Sequence, residues 1–258
     1  MRSFVALSAL ILFASSTAFA QAADVSSTGS AQAHKVREEW VARYNGPSNS
    51  TDGAIALKVD ERGNTYVTGS SASGIGTNYD ILKDYATLKY NPNGNLIWEQ
   101  RYNGPSNTND AATALAVDNQ GNVYVTGNSE GNGTGADYAT VKYDRNGTLL
   151  WEQRYNGLGN QYDSPSALAV DSHGNVYVTG VICPSVDLTG GWCPTDYATL
   201  KYASNGTLLW EQRYHGPGNS LFNGASAITV DRQGNVYVTG LSEDSNNNPD
   251  YVTIKYSQ

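Results

Sequence analysis

Carboxylates are the residues best placed to do chemistry in this chain. Asp80, Asp84, Asp187 and Asp196 lie in or beside segments of irregular length. Paired carboxylates can act as general acid and base toward a glycosidic bond. Asp244, Asn246, Asn248 and Asp250 stand at alternate positions in DSNNNPD. That spacing resembles the first half of a calcium loop, although Pro249 stands where a Gly is expected and no Glu closes the loop. Trp192, beside Cys193, offers a ring face on which a sugar can stack. Nucleophilic chemistry finds no set: His34, His173 and His215 are the three histidines, and none is placed to form a base–nucleophile pair. Cys183 and Cys193, in CPSVDLTGGWC, read as a disulfide closing one small loop. A metal site there would need further Cys or His nearby.

Composition narrows the setting. Of 258 residues, 39% are hydrophobic and only 16% charged, with 18 Tyr and 27 Gly. This excludes a disordered chain and a long-helix protein. A net charge of −8 argues against a phosphate-binding surface, so no nucleic-acid partner is expected. The opening MRSFVALSALILFASSTAFA has a basic Arg2, a short apolar run and Ala18-Phe19-Ala20, and reads as a signal peptide over 1–20. Residues 21–37 read as a flexible leader. No membrane span follows, and the expected location is secreted or periplasmic.

What positions these groups is a fourfold repeat. The string WVARY begins at Trp40 and WEQRY at Trp98, Trp151 and Trp210, roughly 55 residues apart. ALKVD-like strings end at Asp60, Asp118, Asp171 and Asp231, and YVTG strings at Gly69, Gly127, Gly180 and Gly240. DYATLKY-like strings start at Asp84, Asp137, Asp196 and Asp250. Each unit reads as four β-strands, a to d, rich in Val, Tyr, Thr and Trp and separated by Asp/Asn-Gly turns. In the second unit these are Ala114–Val117, Val123–Thr126, Tyr138–Tyr143 and Thr148–Tyr155. A three-residue c–d turn predicts that Tyr143 faces Leu149, that Val141 faces Trp151, and that Lys142 reaches Glu152 on the other face.

Four-stranded units at this period are the signature of a β-propeller, one blade per repeat. Counting strands leaves a spare d strand near Trp40 and a last unit without one. The simplest assembly is an all-β, four-bladed propeller with four antiparallel strands per blade, closed by Trp40–Tyr44 pairing beside Tyr251–Tyr256. Its blades span about 52–102, 111–155, 165–214 and 225–256 plus 38–44, within one domain over 38–258. Strand a is expected innermost. A monomer is expected; two chains pooling repeats into a larger ring is the other architecture.

The strings A-x-A-V-D-x-x-G-N-V-Y-V-T-G, D-Y-A-T-x-K-Y and W-E-Q-R-Y-N-G resemble the bacterial β-propeller repeat family called SBBP, from Trp40 to Tyr256. The resemblance implies an exported or surface-associated protein, and implies neither an enzymatic activity nor a cofactor. The family name implies seven blades, a number that four repeats do not carry over.

Variation collects in the b–c segments SSASGIGTNYDILK, NSEGNGTGA, VICPSVDLTGGWCPT and LSEDSNNNP, which emerge with the d–a connections on one end. Loops on a rigid scaffold carry function, so this end is the expected recognition face. The preferred reading is a non-enzymatic binding or scaffold module with a glycan, a cation such as Ca²⁺, or an envelope or extracellular protein as ligand. Trp192, Asp80, Asp84, Asp137 and Asp196 are its candidate ligand-binding residues, and Asp244, Asn246, Asn248 and Asp250 a candidate metal set. The other readings are a secreted carbohydrate-active hydrolase or lyase using the carboxylates of the same face, and a purely structural envelope module. Asp60, Asp118, Asp171 and Asp231, present in every copy, are expected to be turn residues.

Overall fold

The computed structural model describes residues 36–77, 79–184, 193–217, 221–246 and 248–257. The expected signal peptide over 1–20, most of the expected leader over 21–37, Asp187 and Trp192 lie outside the described residues.

Each repeat folds into an antiparallel meander. Sheet I contains β1 (Asp52–Val59), β2 (Thr65–Ile75), β3 (Ile81–Tyr90) and β4 (Leu96–Tyr102). Sheet II contains β5 (Asp110–Val117), β6 (Val123–Glu130), β7 (Ala136–Tyr143) and β8 (Leu149–Tyr155). Sheet III contains β9 (Ser164–Val170), β10 (Val176–Ile182), β11 (Asp196–Tyr202) and β12 (Leu208–Tyr214). Sheet IV has three strands, β13 (Asn223–Val230), β14 (Val236–Glu243) and β15 (Pro249–Tyr256). All lie in the compact unit Glu39–Gln258.

The turns do what their residues dictate. Asp60 Oδ1 accepts from the amides of Arg62 and Asn64, both at 2.9 Å, while Oδ2 accepts from Asn64 Nδ2 and the Tyr66 hydroxyl. The same cage forms around Asp118, Asp171 and Asp231. The Gly of each YVTG string meets strand a so closely that no side chain fits: a Cβ on Gly127 would lie 2.1 Å from the Ala111 carbonyl oxygen. A register shift between Ala112 and Ala114 marks the bulge at this point.

Two expectations for the c–d hairpin change. A bulge between Lys142 and Tyr143 keeps Tyr143 opposite Leu149 but places Lys142, not Val141, opposite Trp151. Lys142 does not pair with Glu152. Its ammonium reaches the next sheet, donating to the Ser204 carbonyl at 2.9 Å. Glu152 instead accepts from the Tyr102 hydroxyl of the preceding sheet at 2.7 Å. The repeat therefore uses its charges between sheets.

The core lies between successive sheets. Tyr66, Tyr85, Trp98 and Tyr102 of sheet I pack against Val123, Val125, Val141 and Tyr143 of sheet II. Tyr124, Tyr138, Trp151 and Tyr155 pack in the same way on sheet III. Tyr177, Tyr197, Trp210 and Tyr214 pack on sheet IV. An aromatic face thus meets an aliphatic face three times. The a strands β1, β5, β9 and β13 are neighbours in sequence order.

No such packing joins sheet IV to sheet I among the described residues. Trp40–Tyr44 forms no ladder, and β15 pairs with β14 alone. The closing ladder between Trp40–Tyr44 and Tyr251–Tyr256 is therefore not among the observed pairings. Trp40–Tyr44 sits on sheet I instead. Trp40 stacks on Tyr90 with centroids 6.2 Å apart, as Trp98 meets Tyr143 at 6.3 Å and Trp151 meets Tyr202 at 6.2 Å.

Candidate functional site

The end carrying the b–c and d–a connections is built from a repeated loop. Its d–a segments turn at Asn49, Asn107 and Asn160, each with positive φ, which Asn tolerates better than most residues. Asn45 bonds Asn49, Asn103 bonds Asn107 and Asn156 bonds Asn160 through their amides. An aspartate at the start of strand a then takes the loop's glycine amide: Asp52 from Gly46 at 2.8 Å and Asp110 from Gly104 at 2.7 Å. Loop and strand are locked together.

Beneath these loops lie the candidate carboxylates of strand c. Asp84 accepts from Arg101 at 3.1 Å, and Asp137 accepts from Arg154 at 3.0 Å. Each guanidinium also bonds the preceding tyrosine hydroxyl, Tyr44 or Tyr102, and both side chain and backbone of a serine, Ser71 or Ser129. Desolvation alone would lower both arginines, but these bonds raise them above their ordinary value. Burial pushes Asp110 and Asp163 up, despite the amides they accept.

Sheet III departs from this pattern. Ile182 stands where Ser71 and Ser129 stand, and His215 replaces the loop Asn. Asp196 is held by His215 Nδ1 at 2.6 Å, and Arg213 turns to Glu211 and the Tyr155 hydroxyl. Asp163 takes the Cys183 amide at 2.9 Å, tying strand a to the base of the disulfide loop. Cys183 and Cys193 are bonded, with Cα atoms 5.7 Å apart. The sequence signal for His215 is its replacement of Asn in the YNG string; nothing in that string points to its bond with Asp196, 19 residues away.

The structure thus places Asp84, Asp137 and Asp196 in equivalent positions, buried and paired. Asp80 is exposed in the 76–80 turn. Part of what reads as loop in the first repeat is strand, since β2 runs to Ile75 and β3 starts at Ile81. Asp244 accepts from the amides of Asn246 and Asn248 at 2.8 and 2.9 Å, while Asp250 lies in β15 opposite Ser242. Among the described residues no group of three or more His, Cys, Asp or Glu is arranged to hold a metal. At the opposite end, two polar grooves of about 520 and 420 Å³ open between successive a–b turns, one lined by Asp118, Lys142, Asp171 and His173 and the other by Asp60, Lys89 and Asp118.

An all-β chain of repeated antiparallel meanders of three or four strands, stacked face to face, is the class this geometry defines. Residues 101–133, 153–182 and 217–247 match the model of the SBBP β-propeller repeat family. It is also similar to the regulatory protein FlaEY of Caulobacter vibrioides, 28% identical over 222 residues, covering 75% of this chain. The chain spans about a fifth of FlaEY's length, since the match covers 21% of it. Among solved structures, an α-L-arabinofuranosidase from Lactobacillus brevis aligns with 13% identity and a TM-score of 0.43, over 78% of this chain and 71% of that one. An endo-1,5-α-L-arabinanase from Thermotoga petrophila aligns with 12% identity and a TM-score of 0.38, over 77% and 55%.

Proposed function

We propose that the protein is an exported, non-enzymatic β-propeller that serves as a binding or scaffold module. Its ligand, a glycan, a divalent cation such as Ca²⁺ or an envelope protein, sits on the end carrying the b–c and d–a connections. The observation that carries this reading is the contrast between the two ends. The a–b turns share one hydrogen-bond cage in all four repeats. The b–c end differs in each: an extended hairpin in sheet I, a short Gly-rich turn in sheet II, a disulfide loop in sheet III and an Asp244-capped turn in sheet IV. Identical parts maintain blades, and differing loops on a rigid frame recognise ligands. The disulfide is compatible with an oxidising compartment outside the cytoplasm. In this reading the sheets are blades, and Trp40–Tyr44 is the outermost strand of the blade that carries Tyr251–Tyr256.

Calorimetric titration with soluble polysaccharides and with Ca²⁺ tests this. Binding should be lost when residues 183–195 are replaced by the short turn of sheet II or when Trp192 becomes Ala, and kept when Gln120 in an a–b turn becomes Ala. Silence toward every ligand, or loss on the a–b side alone, overturns it. Glycan turnover abolished by Asp80→Asn or Asp84→Asn would establish the hydrolase reading instead.

A further inference from the structure

Two halves of one interface stand unmatched at the ends of the row of sheets. Sheet I presents an aliphatic face on whose inner half no preceding sheet packs among the described residues. A groove of about 340 Å³, lined by Leu57, Val67, Ala86 and Leu88, lies beside Trp40 and Tyr44, and Leu57 is 64% exposed. Sheet IV presents the inner half of an aromatic face. Tyr251 is 88% exposed, whereas its equivalents Tyr85, Tyr138 and Tyr197 are 0% exposed. Every internal interface uses four aromatics, as in Tyr124, Tyr138, Trp151 and Tyr155. Tyr237 and Tyr251 are the first two of such a set, and Trp40 and Tyr44 are the last two.

Trp40 and Tyr44 already occupy their seat on sheet I. The Tyr44 hydroxyl donates to Glu99 at 2.6 Å and accepts from Arg101, as Tyr102 does with Glu152 and Arg154. The missing partners are Tyr237 and Tyr251. Sheets I–II, II–III and III–IV pack alike, and no equivalent packing joins IV to I within this chain among the described residues. We propose that a second copy supplies them: sheet IV of one molecule packs on sheet I of another, and Trp40–Tyr44 becomes the fourth strand of the partner's sheet IV. The three internal interfaces continue unchanged across this contact. It is head-to-tail, so two copies close when the second contact repeats the first. The result is a ring of eight blades, within the range of known propellers. Burying an exposed tyrosine and an aliphatic groove supplies the driving force, at roughly 25 cal/mol per Å² of apolar surface. The contact also pairs the free edge of β15, an edge otherwise open to aggregation.

The register follows from β11 and β12, where Tyr197 opposes Tyr214, Thr199 opposes Gln212 and Lys201 opposes Trp210. Transferred to the ends, Tyr251 opposes Tyr44 and Thr253 opposes Ala42. Directly opposed residues bring their Cβ atoms within about 5 Å, close to disulfide reach. Chains carrying Ala42→Cys or Thr253→Cys are co-expressed with export to an oxidising compartment. A covalent heterodimer, absent when either variant is expressed alone, is expected. Light scattering of the unaltered chain should give the mass of two copies, and Tyr251→Arg should halve it while the circular dichroism of the sheets persists. A monomer at all concentrations, or no heterodimer on co-expression, overturns the proposal. An intramolecular bond in the double Ala42→Cys, Thr253→Cys chain would overturn it too, by establishing four blades closed in one molecule. The proposal rests on the propeller reading, but its readouts are mass and cross-linking. Loss of ligand binding therefore leaves it standing, and its failure leaves the binding face untouched.

Discussion

Lys142 Nζ donates to the carbonyl of Ser204 across the sheet II–sheet III interface at 2.9 Å, while lying 5.0 Å above the ring of Tyr124. Trp151 Nε1 donates to the same carbonyl at 3.0 Å. Lys89 and Trp98 repeat the arrangement on Arg145 one interface earlier. One turn carbonyl thus collects a cation and an indole from the neighbouring sheet. Burial lowers the Lys142 ammonium below its ordinary value, so the site costs solvation that the bond and the ring must offset. Lys142→Met keeps the aliphatic stem and removes the charged donor. Hydrogen bonds to charged groups contribute about 1.5–3 kcal/mol. A loss of that size in urea unfolding is expected; a neutral result would mean that packing of the stem carries the interface.

Arg154 and Arg213 provide a matched comparison. Arg154 neutralises Asp137, whose side chain is nearly fully buried, and fills its remaining donors with Tyr102 and Ser129. Arg213 lacks the serine and the strand-c carboxylate, because Ile182 and His215 have taken over. Removing one partner of a buried pair costs about 3–5 kcal/mol, since the other charge is left uncompensated. Arg154→Ala should approach that loss and Arg213→Ala should fall below about 1 kcal/mol, as more exposed pairs do. Chemical denaturation of both variants checks this, and equal losses would refute the distinct role assigned to Arg154.

The strands, the Asp-centred turns and the disulfide are legible in the sequence because each is written in a few neighbouring residues. Asp118-x-x-Gly121-Asn122 contains its own cage, and Tyr138–Tyr143 alternates as a strand must. The partners of Lys142 and Glu152 are not legible. Local pairing puts the two within reach of each other, but burying them between sheets gives each a better partner in a neighbouring repeat. Val141 reads one residue off because a bulge at Lys142 is invisible in a turn that looks regular. The burial of Asp84 and Asp137 and their arginines, 17 residues further along the chain, are not legible either, because they come from packing.

Gly127 tests the bulge. A Cβ there would meet the Ala111 carbonyl at 2.1 Å and the Tyr85 hydroxyl at 2.7 Å, and backbone cannot step aside as a flexible side chain can. Gly53, in β1, is the contrasting position: a Cβ added to it would meet nothing within 4 Å. Overpacking costs typically about 1–3 kcal/mol. Gly127→Ala should lie at or above the top of that range, and Gly53→Ala should lie within about 0.5 kcal/mol of the parent. Thermal unfolding of the two variants side by side decides it; a tolerated Gly127→Ala would mean that strand a moves freely at the bulge.

Acid stability should follow the turn aspartates. Burial pushes Asp171 up, but bonds from Asn175, Tyr177 and the His173 amide outweigh it and hold the carboxyl below its ordinary value. Asp60 behaves in the same way, and in Asp231 the Asn235 bond is the leading cause of the lowering. A carboxylate lowered on folding stabilises the native state above its unfolded value of about 3.9. Below that pH the unfolded chain takes up the proton first, so stability is lost as pH falls toward the folded value. Asp110 and Asp163, raised by burial, act in the opposite sense, and their contribution fades as pH rises through their folded values. Urea midpoints measured from about pH 5 down to about pH 2 should therefore fall steeply for the parent. Asp171→Asn should begin lower at the upper end of that range and descend less, because the missing carboxylate has no proton to gain. Parallel curves for the two proteins would show that the cages do not govern acid unfolding.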